Sequence, residues 1–214
     1  MFDSQKSRLY RILISVYTYF VYVFFEKPKG IDFIRTDDSP LKASPSASYY
    51  ISVPGRTMEK ILHKMRVGAD DSFLDIGCGK GFILYLAQKS GFGRVHGIDL
   101  SPGLCRIANE NLKILKASGR ATVECIDAAE YKNFDGYSFI FMNNPFSADI
   151  MEAVVHNIEL SLMRRPRNLT VIYLNPHCHR VLDGSVFFKL TEKRSVSVYN
   201  PLTKWSVYYY RSIF

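Results

Sequence analysis

Apolar and polar positions change period several times along the 214 residues. Residues 12–25 are apolar or aromatic apart from Ser15 and Thr18. Arg8, Arg11, Ser15, Thr18 and Tyr22 recur at spacings of three and four, which puts one narrow polar stripe on a helix. Glu26, Lys27, Pro28 and Lys29 end that pattern, so a hydrophobic N-terminal helix is predicted over 1–26. The stretch 37–48 is small, polar and broken by Pro40 and Pro45, and 27–48 reads as a linker or lid. From 49 to 214, short apolar runs alternate with segments of helical period. Helices are predicted at 56–65, 82–87 and 148–161. Strands are predicted at 73–76, 95–98, 122–126, 137–142 and 168–174, then within 187–198 and at 205–210. Such alternation calls for a parallel sheet covered by helices on both faces. Asn200-Pro201 marks a turn that makes the closing pair a hairpin.

One strand-to-helix junction carries the candidate chemistry. Phe73-Leu74-Asp75-Ile76 runs directly into Gly77, Gly79 and Gly81 at alternate positions. A turn of this kind lets a ligand approach the main chain closely, and the amides opening the next helix face the same crevice. The dinucleotide fingerprint sets its third glycine one residue later. Here that glycine comes early and Asp75 precedes the first. Asp99 closes the second strand about 20 residues on, where a carboxylate can accept both ribose hydroxyls. Asp127 follows the third strand, and the fourth ends on Asn143-Asn144-Pro145-Phe146.

The pattern D-x-G-x-G-x-G at Asp75 to Gly81, with the two later acids, resembles motif I and its successors in the class I S-adenosylmethionine-dependent methyltransferases. That resemblance implies an α/β, Rossmann-like, mostly parallel seven-stranded sheet with an antiparallel last strand, here preceded by the N-terminal helix. It implies S-adenosylmethionine as methyl donor and no metal. The cofactor residues it implies are Asp75, Gly77, Gly79, Gly81, Asp99, Leu100, Asp127 and Ala128, with Asp127 meeting the adenine amine. Asn143 to Phe146 is similar to the N-P-P-Y/F tetrapeptide of methyltransferases that modify nitrogen. By that likeness, the Asn143 side-chain oxygen and the Asn144 carbonyl accept hydrogen bonds from the substrate amine, Pro145 matches the motif's proline, and the Phe146 ring packs on the substrate. Asn144 stands where the family usually has proline, which predicts a less rigid turn. A different reading of the same residues is an Asx-type turn capping the following helix.

Composition narrows the remaining choices. Hydrophobic residues make up 47% of the chain, enough for a sizeable core, and disordered and fibrous classes are excluded. Cys78, Cys105, Cys125 and Cys178 lack C-x-x-C spacing and read as reduced, cytosolic and mostly buried. His177-Cys178-His179 lacks further ligands at metal-site spacing. The apolar run in 1–26 is short for a membrane span and rich in tyrosine, which suits a helix lying at the cytoplasmic membrane surface; packing on protein is the other reading. No secretory cleavage pattern follows it. Net charge is +8, and from Arg164 onward nine Lys and Arg stand against Asp183 and Glu192. That bias suits an anionic surface or a solvated edge hairpin.

The leading function is methylation of a protein nitrogen, with lysine as acceptor. The spacing of Tyr50 and Pro54 behind a hydrophobic helix weakly resembles the lysine methyltransferases of the ATP synthase c subunit. N- or O-methylation of a lipid or small molecule at the membrane is the alternative. Adenine methylation of nucleic acid lacks room for a target-recognition domain. A cofactor-binding interaction protein without catalysis is a further class. Tyr50 and Asn175 stand near strand ends and are candidate substrate residues.

Overall fold

The computed structural model describes residues 16–17, 19–35, 52–144, 146–198 and 200–213. Seven strands form one sheet: β1 Ser72–Ile76, β2 Arg94–Asp99, β3 Ala121–Cys125, β4 Phe139–Asn143, β5 Thr170–Leu174, β6 Phe188–Val198 and β7 Asn200–Ser212. Their spatial order is β3-β2-β1-β4-β5-β7-β6. The first five are parallel, β7 runs antiparallel to β5, and β6 pairs antiparallel with β7. The order reverses between β1 and β4, which opens a crevice beyond their carboxyl ends.

Side chains alternate across the sheet, so each strand feeds two cores. Phe73, Phe141, Ile172 and Leu174 pack with α1 (Gly55–Lys64) and α2 (Phe82–Lys89) on one face. Leu74, Ile76, Ile140, Met142, Val171 and Tyr173 pack with α4 (Ala148–Arg164) on the other. All five residues of β1 are buried, as a central parallel strand requires, whereas the edge strand β3 is largely open. Between β2 and β3 runs α3 (Pro102–Ile114), capped by the Ser101 hydroxyl accepting from the Leu104 amide and opened by Pro102. A short α5 (His179–Asp183) follows β5.

The closing hairpin is longer than its apolar pattern suggests. β6 ends at Val198 and β7 already begins at Asn200, so the reversal precedes Asn200-Pro201. The cysteines are free, but only Cys78 and Cys105 are buried. Cys178 is half-buried and Cys125, on the open edge strand, is exposed, which corrects the expectation of mostly buried thiols.

Upstream, a π-helical turn Tyr22–Glu26 passes into a 3-10 turn Lys27–Lys29, which Gly30 ends at φ 74°. Val16, Tyr17, Tyr19, Phe20, Phe24 and Phe25 are each more than half exposed. Ile31, Asp32 and Phe33 are buried instead, and the Phe33 ring lies 5.0 Å from Phe82 and 6.2 Å from Tyr85 on α2. Arg8, Arg11, Ser15, Thr18, the segment 37–48, Tyr50 and Pro145 lie outside the described residues.

Candidate active site

The carboxyl edge of the sheet sets the candidate residues side by side. Along it come Asp127 after β3, Asp99 at the end of β2, the glycine turn after β1, Asn143-Asn144 at the end of β4, and Asn175 after β5. Gly77, Gly79 and Gly81 have φ of 79°, 55° and 80°, a left-handed path that a Cβ would strain at every alternate position. The amides of Gly77 and Cys78 both donate to the Ile98 carbonyl, at 2.9 and 3.0 Å. This draws the turn over β2, where Gly97 makes the approach sterically possible. A Cβ there would meet Leu84 Cδ1 at 2.6 Å and Cys78 Cβ at 2.7 Å.

Asp99 is buried, and its two oxygens take amide hydrogens from Gly79 and Ser101, each at 2.9 Å. A carboxylate offers about four acceptor positions, and the two amides fix its plane. Asp127 Oδ1 accepts from the Ala129 amide at 2.9 Å, which orients its carboxylate similarly. Leu100 and Ala128, the residues that follow these acids, are both half-buried.

Asp75 is different in kind. It is 2% exposed, and its Oδ2 has no hydrogen-bond partner among the described residues. Burial, reinforced by the nearby Asp99 charge, pushes its carboxyl well above the usual range. An orphaned acceptor under a glycine turn and beside a second acid fits a cofactor that brings an ammonium, a sulfonium and a ribose to this crevice. Asp75, Asp99 and Asp127 with the three glycines would hold S-adenosylmethionine there. Among the described residues, no group of three or more His, Cys, Asp or Glu stands ready for a metal. His179, next to Cys178, is instead paired with Asp183 at 2.8 Å.

At the end of β4, Asn143 lies in register with Leu174 of β5, and the next residue of each strand, Asn144 and Asn175, is left-handed, at φ 42° and 51°. Asparagine tolerates that region better than most side chains. Proline cannot enter it, so the departure from N-P-P-Y/F at Asn144 is conformational as well as chemical. Tyr173 Oη donates to Asn144 Oδ1 at 3.5 Å while accepting from the Cys178 amide at 3.2 Å. The α4 N-cap is Ser147, whose side chain makes no capping hydrogen bond. Phe146 is half-buried and packs against the core on the α4 face. Asn175 donates its amide to the Ser206 carbonyl of β7 at 2.8 Å and accepts from His177.

Three residues that sequence reasoning passed over also converge here. Lys80, inside the glycine turn, is buried against Asp32, and Asn111 of α3 bonds both. A lysine between two turn glycines was visible as a signal; its partner far upstream was not.

A sheet of this order with a glycine turn at its reversal defines a class I, Rossmann-like methyltransferase fold. Residues 73–163 match the family described as a methyltransferase domain. Two relatives are named ribosomal protein L11 methyltransferase. The one from Caldanaerobacter subterraneus subsp. tengcongensis is 31% identical over 80 residues, 37% of this chain and 25% of that protein. The one from Thermosipho africanus is 32% identical over 96 residues, 44% of this chain and 35% of that protein. The chain thus spans between a quarter and about a third of these relatives' length. The structure of an RNA methyltransferase from Salinibacter ruber in complex with S-adenosyl-L-homocysteine superimposes with a TM-score of 0.57 at 16% identity, covering 76% of this chain and 94% of that one. Residues 73–163 are thus similar to a methyltransferase domain, and the sheet around them has the Rossmann-like methyltransferase fold.

Proposed function

We propose that this protein transfers a methyl group from S-adenosylmethionine to a nitrogen of a protein, with a lysine side chain as acceptor. The observation that carries this reading is the placement of Asn143 and Asn144 at the end of β4, the strand paired directly with β1 and its glycine turn. The names of the two relatives, which act on a ribosomal protein, support a protein acceptor.

A sulfonium donor supplies an already activated methyl group, so the chain has mainly to align the acceptor. The Asn143 side-chain oxygen and the Asn144 carbonyl accept N–H hydrogens of the neutral amine and turn its lone pair toward the crevice. Tyr173 holds Asn144 in place, and burial raises its phenol so that it stays a hydrogen-bond donor. Asn143→Ala is expected to lower turnover by about two orders of magnitude while S-adenosylhomocysteine binding stays near wild type. Full activity in that variant refutes the assignment.

A second reading adds the membrane. The exposed Val16, Tyr17, Tyr19, Phe20, Phe24 and Phe25, followed by Lys27 and Lys29, have the character of an interfacial anchor on the cytoplasmic face, which would bring a membrane protein or lipid amine within reach. No described helix is long and apolar enough to cross a bilayer. Vesicle sedimentation after deletion of residues 1–26 tests this: unchanged binding by the truncated chain sinks it.

A further inference from the structure

Lys80 stands between Gly79 and Gly81, in the turn proposed to face the cofactor, yet its side chain is only 2% exposed. Its Nζ lies 3.0 Å from Asp32 Oδ2 and donates to the Arg35 carbonyl at 2.8 Å. Asp32 comes from the strap 31–35, 48 residues upstream. Burial pushes the Asp32 carboxyl up, but the Arg35 hydrogen bond and the Lys80 charge outweigh it and hold it below its ordinary value, so the carboxyl is ionised at neutral pH. Asn111 closes the arrangement. Its Oδ1 accepts from the Asp32 amide at 2.9 Å, and its Nδ2 donates to the carbonyls of Asp32 at 2.9 Å and Lys80 at 3.0 Å. Between the Asp32 and Arg35 contacts the Glu26 carboxylate accepts from the amides of Phe33 and Ile34.

As a source of stability this is a poor bargain. A buried ion pair roughly breaks even against a well-packed apolar pair, and Asp32 Oδ1 is buried with no hydrogen-bond partner among the described residues. What distinguishes the pair is its location. The Lys80 backbone is the middle of the glycine turn, and the Gly79 amide on one side of it is already bonded to Asp99. The turn is therefore held at two points, one at the ribose-facing acid and one at the strap.

We infer that Asp32 is a positioning residue for the cofactor: acting through Lys80, it holds the Gly79–Gly81 backbone in the path that binding requires, without touching the cofactor itself. This rests on the methyltransferase reading above. It also makes the N-terminal segment part of the cofactor site, since releasing the strap frees the turn.

The test is calorimetric titration of S-adenosylhomocysteine into the full chain and into Asp32→Asn, Lys80→Met and the double variant, beside methyl-transfer kinetics. Asp32→Asn is expected to weaken binding by about tenfold, with the loss in KM for the donor far larger than in kcat or in KM for the acceptor. The double variant is expected to bind no worse than the weaker single one, because both act through one contact. An unchanged Kd in Asp32→Asn, with only the melting temperature lowered, overturns the inference and leaves a structural pair. Should Asp32→Asn fail to fold, Asp32→Glu keeps the charge and displaces Lys80 by one methylene; a wild-type Kd there overturns the inference equally. A wild-type chain that binds no S-adenosylhomocysteine overturns the methyltransferase reading itself.

Discussion

Replacing Asn144 by proline restores the tetrapeptide of nitrogen methyltransferases, and the structure predicts that it abolishes the proposed methyl transfer. Residue 144 has φ 42°. The proline ring holds φ near −65°, so the substitution demands a rotation of roughly 105° about the N–Cα bond. With standard bond lengths, that swings the residue's carbonyl oxygen by on the order of 3 Å. A 1 Å misplacement near a reacting centre can cost about 10²-fold, so turnover is expected to fall at least that far. Rebuilding the turn and losing the Tyr173 contact is expected to remove about 1–3 kcal/mol of stability. At about 2–4 °C per kcal/mol for a chain of this size, the melting temperature falls by roughly 2–12 °C. Asn144→Gly is the control. It relieves about 1 kcal/mol of left-handed crowding and gives back about 0.5–1 kcal/mol in unfolded-chain freedom, leaving stability close to wild type. The assay is transfer of labelled methyl to a protein acceptor, run beside S-adenosylhomocysteine calorimetry, which is expected to change little in either variant. A proline variant as active and as stable as wild type refutes the reasoning.

Two other substitutions bear on the cofactor turn. Gly97→Ala places a Cβ 2.7 Å from Cys78 Cβ and 2.6 Å from Leu84 Cδ1. Such overpacking costs about 1–3 kcal/mol, and because Cys78 belongs to the turn, S-adenosylhomocysteine affinity is expected to fall with the melting temperature; a variant normal in both contradicts the packing argument. Asp75→Asn probes a buried carboxyl whose folded pKa is raised by burial and by Asp99. In the cofactor-free protein the unfolded state loses this proton first, so the wild-type contribution is greatest below the ordinary carboxylate pKa and declines as pH rises toward the folded value. Melting curves are expected to show the asparagine variant gaining on wild type as pH rises through that window, and parallel profiles contradict it.

The central strands were legible because β4 and β5 are short, nearly continuous apolar runs, and β1 one broken only by Asp75, all bounded by turn residues, as strands buried on both faces require. The glycine turn and its acids were legible because their spacing is dictated by backbone conformation and strand length. Elsewhere the signal was weaker. In β7 the exposed partners of the edge strand dilute the pattern, so only 205–210 of Asn200–Ser212 stood out. The helix α3 was not among the predicted helices: its apolar face is interrupted by Asn111, a polar core residue whose partners come from residues 32 and 80. The strap 31–35 was hidden for the same reason: Asp32 reads as a loop acid until Lys80 is seen to be buried beside it. At Asn144 the identity of the residue was plain but its left-handed backbone was not, since asparagine is at home in either hand.

The most direct test of the account is to incubate the full chain with methyl-labelled S-adenosylmethionine and separated membrane and soluble fractions of its host, and to partition the label. The account predicts label in acid-precipitable, protease-sensitive material, lost in Asn143→Ala and recovered as methyllysine on hydrolysis. Label confined to the organic extract, or no transfer by a protein that binds S-adenosylhomocysteine, contradicts it.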